Sequence, residues 1–252
     1  MSERLLRAQS GQANSLNPCF ARGCSAWRSY GLHCAFSESR SFFDGKNKLI
    51  GGTGHMTKNT IYLFRHGQTE WNVKGRRQGH LDSPLTAKGH SQALKNARRL
   101  QRQCSLNSDV TVFVSPLGRS RQTALLILAE LGLPEDRIDY EPGLMESSFG
   151  LWEGLTDAEV AKQFPDTWQA RTADRWNVRP PSGESYADVH ARVAEWYESV
   201  SIAETTLVVC HGLTSRVFRG IYAGLSHQQV FDLPEPQDGF FKLSDGIITY
   251  VE

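Results

Sequence analysis

Short apolar runs alternate with helical spacings along most of this chain. Residues 60–64 hold four consecutive apolar positions, Ile61-Tyr62-Leu63-Phe64, and run straight into Arg65-His66-Gly67. Residues 110–114 form a second run, and Leu207-Val208-Val209-Cys210 a third that leads into His211-Gly212. Unbroken apolar runs of this length suit strands covered on both faces. Between them the spacing changes. Ala93, Leu94, Ala97 and Leu100 share one face of a helix predicted over residues 86–102, with Thr86 as its N-cap. A second helix starts near Arg119 and stops at Gly132 and Pro134. Further helices are predicted over residues 156–164, 185–200 and 213–223, the middle one with Tyr186, Val189, Val193 and Trp196 on one face. A short strand at 137–140 and two more at 240–243 and 247–251, the last pair around Gly246 as a hairpin, complete the pattern. Strands alternating with helices predict an α/β fold: a mostly parallel central sheet with helices on both faces, in three layers. Parallel strands gather their C-terminal ends at one edge, where ligands bind. His66 and His211 are therefore expected at one crevice.

Residues 1–57 break the pattern. They show no periodicity, are rich in Ser, Gly and Arg, and hold seven Lys or Arg against three Asp or Glu, whereas the remainder holds 21 against 24. This segment is expected to be an unstructured extension: an over-extended start with the working chain beginning near Met56, a transit peptide, or an arm. The fold is assigned to residues 58–252. The whole chain carries a net charge of +1, which gives no electrostatic reason to expect nucleic acid or an anionic membrane as partner. No apolar run is long enough to span a bilayer. Cys104 and Cys210 read as free thiols of a reducing compartment, the cytoplasm or an organelle matrix if residues 1–57 are a transit peptide. No metal-ligand spacing of Cys and His stands out, so neither a metal nor a cofactor is expected. The oligomeric state is left open, a homodimer included.

The candidate chemistry lies at the strand ends. Arg65 and Arg119 suit a phosphate group, and two histidines among cations suggest chemistry on that phosphate, because imidazole can act as nucleophile as well as base. Residues 151–184 are irregular and carry Trp168, Arg171, Arg175, Trp176 and Arg179 before Pro180-Pro181-Ser182-Gly183, a composition expected of a lid over a pocket.

These residues carry a resemblance. Arg65-His66-Gly67-Gln68-Thr69-Glu70-Trp71-Asn72 resembles the signature of the histidine phosphatase superfamily, in the branch that includes cofactor-dependent phosphoglycerate mutases. Four blocks follow in order: Gln78-Gly79 with Asp82-Ser83-Pro84-Leu85-Thr86; Ser115-Pro116-Leu117-Gly118-Arg119-Ser120-Arg121-Gln122-Thr123-Ala124; Glu146 with Phe149-Gly150 and Trp152-Glu153-Gly154; and Cys210-His211-Gly212. The resemblance implies a phosphoglycerate mutase-like fold and a set of roles. His66 would be the nucleophile, and Arg65, Arg119 and His211 would complete the phosphate pocket. Asn72 would bond the phosphoryl group, Gly67, Gln78 and Gly79 would line the pocket, and Glu146 would be the acid and then the base. The expected function is that of a metal-independent phosphomonoesterase acting on a small phosphorylated metabolite through a phosphohistidine. The alternatives are a mutase of short-lid type and, from another class, an inactive phosphate-binding module. The stretch between Glu146 and His211 holds no adjacent pair of arginines to grip a second acidic group, which favours water as the phosphoryl acceptor.

Overall fold

The computed structural model describes residues 59–104 and 110–252. The extension expected at residues 1–57 lies outside the described residues. In chain order the elements are β1 Thr60–Arg65, α1 Glu70–Val73, α2 Ala87–Gln103, β2 Val110–Val114, α3 Gly118–Leu131, β3 Ile138–Tyr140, α4 Asp157–Gln163, α5 Pro165–Ala173, α6 Tyr186–Ser199, β4 Thr205–Cys210, α7 Gly212–Tyr222, α8 His227–Asp232, β5 Phe240–Ser244 and β6 Ile247–Val251. The strands form one sheet in the order β3-β2-β4-β1-β5-β6. Its first four strands are mutually parallel, and β5 and β6 continue it antiparallel. The expected α/β fold with a mostly parallel sheet is the one observed.

Alternation along β1 explains the three layers. Ile61 and Leu63 face one core, shared with Val189 and Val193 of α6 and Val217 and Phe218 of α7. Tyr62 and Phe64 face the other, shared with Ala93, Ala97 and Leu100 of α2 and Ala124, Ile127 and Leu128 of α3. All four β1 side chains are buried. Fully burying such a residue is worth about 1.5–3 kcal/mol, so a strand apolar on both faces is stable only at the centre of a covered sheet.

Local chemistry sets the element ends. The Thr86 side chain accepts from Gly89 N–H and starts α2. α3 ends at Gly132, whose φ of +69° lies in the left-handed region. Capping boxes open α1 at Thr69, α4 at Thr156, α6 at Ser185 and α8 at Ser226. Asp245 and Gly246, with φ of +54° and +74°, make the tight turn of the β5–β6 hairpin. The sequence pattern does not show the four-residue α1, nor α5 or α8. All are short, and α5 directly follows α4 at Phe164 with Pro165 as its first residue, so the helix expected over 156–164 becomes the first of a pair.

Candidate active site

Strand register brings the two histidines together. Arg65 pairs with Cys210 and Val114 with Val209, so β1, β4 and β2 end at one level. The next residues are His66, His211 and Ser115. His66 N–H donates to the Cys210 carbonyl at 2.9 Å, and Ser115 N–H to the Val209 carbonyl at 3.0 Å. The imidazole centroids lie 5.2 Å apart. His66 Nδ1 is 2.8 Å from the Gly67 carbonyl. A carbonyl only accepts, so Nδ1 carries the proton and Nε2 keeps its lone pair. Burial, then the charges of Arg119 and Arg65, hold His66 well below the ordinary imidazole range. His211 is fully buried and likewise lowered, by burial first and then by Arg119 and His66. Its Nε2 lies 2.7 Å from Ser115 Oγ and 3.2 Å from Ser120 Oγ, while its Nδ1 has no partner among the described residues.

The cations are held from outside the cavity. Asp82 accepts from Gly118 N–H at 2.6 Å, at the start of α3, and pairs with Arg119 at 2.8 Å. Arg119 also donates to the carbonyls of Gly79 and Leu81, at 2.8 and 2.9 Å. This fork fixes a guanidinium that is only 1% exposed. Arg65 donates to the Glu235 carbonyl, and the Glu235 carboxylate in turn pairs with Arg216 at 3.1 Å.

The pocket residues implied by the resemblance divide into two sets. Arg65, His66, Asn72, Gln78, Gly79, Arg119 and Glu146 all line one cleft of about 660 Å³. Asn72 Oδ1 is occupied by Thr69 N–H and by Gln237 Nε2, at 3.0 and 3.2 Å, which leaves its amide nitrogen for a ligand. Gln78 Oε1 accepts from Thr69 Oγ1, leaving its own amide nitrogen in the same way. Gly67 does not line the cleft, contrary to its expected role. A Cβ there would come within 2.4 Å of the Gly89 carbonyl oxygen, so Gly67 lets the β1–α1 turn touch the start of α2. His211 lies behind His66, outside the lining.

Glu146 sits at the N-terminus of α7. Its Oε1 accepts from Ser147 N–H, Thr214 N–H and Thr214 Oγ1, at 3.0, 3.3 and 3.2 Å; among the described residues its Oε2 accepts only from Leu213 N–H, at 3.3 Å. Partial positive charge at a helix start suits a carboxylate.

Across the cleft a second group of cations converges. Arg171 and Arg175 come from the 151–184 segment and Arg77 from the loop after α1. Arg77 lies over Phe149, Trp152 and Trp168 and pairs with Asp157 at 2.8 Å. Arg171 is 5% exposed, and among the described residues no carboxylate lies within ion-pair distance of it. Burial, with Arg77 and Arg175 nearby, pushes it down to about 10. Residues 171 and 175 thus reach one cleft without being adjacent in sequence, and Arg77 joins them from another loop. Arg179 stays outside, paired with Asp188, and Trp176 stacks on His227 rather than on the cleft. Arg216, Glu235 and Gln237 have no sequence signal. Gln237, on the segment after α8, donates to the His66 carbonyl at 3.2 Å, while Glu235 on the same segment accepts from Arg65 and pairs with Arg216 of α7.

The match with known proteins agrees with this geometry. The model of the histidine phosphatase superfamily, branch 1, matches residues 61–239, and the chain belongs to that family. It is 35% identical over 178 residues to a 2,3-bisphosphoglycerate-dependent phosphoglycerate mutase of Methylobacterium radiotolerans, covering 69% of this chain and 83% of that protein. A solved structure of a putative alpha-ribazole-5'-P phosphatase from Escherichia coli superposes with a TM-score of 0.68 at 25% identity, covering 77% of this chain and 94% of that one. A mycobacterial glucosyl-3-phosphoglycerate phosphatase solved with VO3 gives 0.60 at 28% identity, with 73% and 90% covered. Among the described residues no helix is long and apolar enough to cross a membrane.

Proposed function

We propose that this chain is a phosphomonoesterase that works through a phosphohistidine on His66. The observation that carries the reading is the setting of that imidazole: buried, held below the ordinary imidazole range by burial and by Arg119 and Arg65, with Nδ1 on the Gly67 carbonyl and Nε2 left to attack. Nε2 attacks phosphorus; the N–P bond forms as the ester O–P bond breaks. Arg65, Arg119 and the amide nitrogens of Asn72 and Gln78 stabilise the equatorial oxygens, and His211 packs beside the His66 imidazole, 5.2 Å between centroids. Glu146 gives the leaving oxygen its proton from Oε2, its less engaged oxygen. Water then attacks phosphorus and gives a proton to Glu146; the N–P bond breaks, His66 leaves as neutral imidazole, and inorganic phosphate is released. Arginines supply the positive charge, and the reading requires no metal.

The substrate class follows from Arg171. A buried cation without a counter-ion costs several kcal/mol unless an anion joins it. A ligand with its phosphate on His66 and a second anionic group toward Arg77, Arg171 and Arg175 supplies that anion. Cys104 and Cys210, the two free thiols among the described residues, suit a reducing, cytoplasmic setting. The similarity to a phosphoglycerate mutase keeps a second reading open, in which another substrate molecule rather than water receives the phosphoryl group.

The test is a panel of alkyl phosphates that includes 3-phosphoglycerate and glycerol 3-phosphate, which differ by one carboxylate. Hydrolysis is expected, with kcat/KM at least ~10-fold higher for the doubly anionic ester, a preference that Arg171→Gln removes; a charge-assisted bond of about 1.5–3 kcal/mol supports that factor. Formation of 2-phosphoglycerate instead of free phosphate establishes the mutase. Binding without turnover of any member leaves the inactive module.

A further inference from the structure

We infer that Arg192, on α6, is the positioning residue for Glu146, acting with Glu184 to fix the backbone from which the carboxylate projects. The inference rests on the proposed role of Glu146 as proton donor.

Glu146 lies between two short helical turns, Pro142–Leu144 and Gly150–Trp152. Among the described residues no backbone–backbone hydrogen bond holds Glu146 itself. Side chains do that work. Arg192 donates to the Gly143 carbonyl at 2.8 Å and to the Glu146 carbonyl at 3.1 Å, spanning the stretch on which the acid stands. The same guanidinium grips Glu184 through Nε at 2.9 Å and through a terminal nitrogen at 3.1 Å. Glu184 Oε2 also accepts from Ser148 N–H at 2.8 Å, and Glu184 N–H donates to the Ser148 carbonyl at 2.8 Å. One guanidinium–carboxylate unit thus binds the backbone on both sides of Glu146. His80 adds a second contact, with Nε2 3.0 Å from the Glu146 carbonyl.

The pair suits this task. The two side chains are 21% and 23% exposed, where solvent screens them little. Burial pushes Glu184 up, but the bonds and charge of Arg192, with Ser148 N–H, outweigh it, and the carboxyl titrates below its ordinary range. The arginine fork binds both carboxylate oxygens, a geometry lysine cannot copy. Arg192 does not line the cleft, so it acts on the reaction through Glu146 rather than on the substrate. The carboxylate is held by α7 from one side and its backbone by α6 from the other. Releasing the α6 side moves the proton donor relative to His66, and a misplacement of ~1 Å can cost ~10²-fold in rate.

The experiment compares Glu146→Gln, Arg192→Gln, Arg192→Lys and the double variant E146Q/R192Q. The substrates are the best alkyl ester of the panel and 4-nitrophenyl phosphate, whose leaving group hardly needs a proton. Arg192→Gln is expected to lower kcat on the alkyl ester ~10–10²-fold with KM little changed, and to lower it far less on the nitrophenyl ester. Arg192→Lys should fall between. With Glu146 already replaced, Arg192→Gln should cost nothing further on the alkyl ester, because its effect runs through that carboxylate. Equal losses on the two esters, or additive losses in the double variant, overturn the inference. If Arg192→Gln does not fold, Glu184→Gln and Arg192→Lys carry the same comparison. A Glu146→Gln variant that shows no leaving-group dependence instead refutes the acid role on which the inference rests.

Discussion

His66 owes its chemistry to its surroundings more than to its identity. An exposed imidazole titrates near ~6.5 and is partly charged at neutral pH. Here burial, Arg119 and Arg65 all act against the proton, and the Gly67 carbonyl selects the tautomer with Nε2 free. Position, charge state and tautomer are thus set by three different neighbours. His66→Ala is expected to abolish turnover and to leave the fold intact. The wild type, given a 32P-labelled substrate, should carry an acid-labile, base-stable label that the variant lacks. Substantial turnover by the variant would assign the nucleophile elsewhere. At the same scale, turnover that disappears on chelation and returns with Zn²⁺ or Mg²⁺ would overturn the assignment of the positive charge to arginines.

At the scale of elements, the site depends on places where backbone touches backbone. Gly67 and Gly89 face each other where the β1–α1 turn meets α2: a Cβ on Gly67 would lie 2.4 Å from the Gly89 carbonyl oxygen, and one on Gly89 would lie 2.2 Å from that of Gln68. The neighbour in each case is main chain and cannot swing aside. Gly67→Ala should therefore overpack the turn, at a cost of about 1–3 kcal/mol. In a chain of this size that lowers Tm by roughly 2–4 °C per kcal/mol, measurable by calorimetry. The same variant should lose activity, because the Gly67 carbonyl holds His66 Nδ1. An unchanged Tm would show that the turn can relax without strain. A similar close fit joins Gly150 to the Pro181 carbonyl and Gly183 to that of Ser148, tying the acid-bearing loop to the end of the 151–184 segment.

For the whole molecule, the two buried histidines make stability depend on pH. Both are held below the ordinary imidazole range in the folded state, whereas in the unfolded chain they titrate near ~6.5. Above ~6.5 neither state binds these protons, and the stability is fully present. As pH falls below ~6.5 the unfolded chain takes up two protons that the native state refuses, so stability falls. The limiting slope is about 2.7 kcal/mol per pH unit for two such groups. Urea unfolding between pH 7 and 5.5 should show this loss, and His211→Gln should roughly halve the slope. Stability independent of pH over that window would mean that the imidazoles accept protons in place. Bound phosphate should offset the loss by adding negative charge beside His66.

The sequence by itself determined the sheet strands, most of the helices and the convergence of His66 with His211. Those features depend on apolar periodicity and on the rule that parallel strands end at a common edge, which are local or topological properties. Arg65 follows from its place beside His66, and Arg119 from its place at the start of α3. Tertiary structure decided the rest. Gly67 looks like a pocket residue in a motif, but its neighbour across space is Gly89, and packing assigns it to the turn. Arg171 and Arg175 share one segment but Arg77 lies on another, so no spacing rule unites the three; the fold of residues 151–184 brings the pair to the loop that carries Arg77. Gln237 meets the His66 carbonyl across 171 positions of sequence, and Arg192 meets that of Glu146 across 46. Strand ends are specified by residues close in sequence, whereas the far wall of the cleft and the brace on its acid are specified by contacts that exist only once the chain has closed on itself.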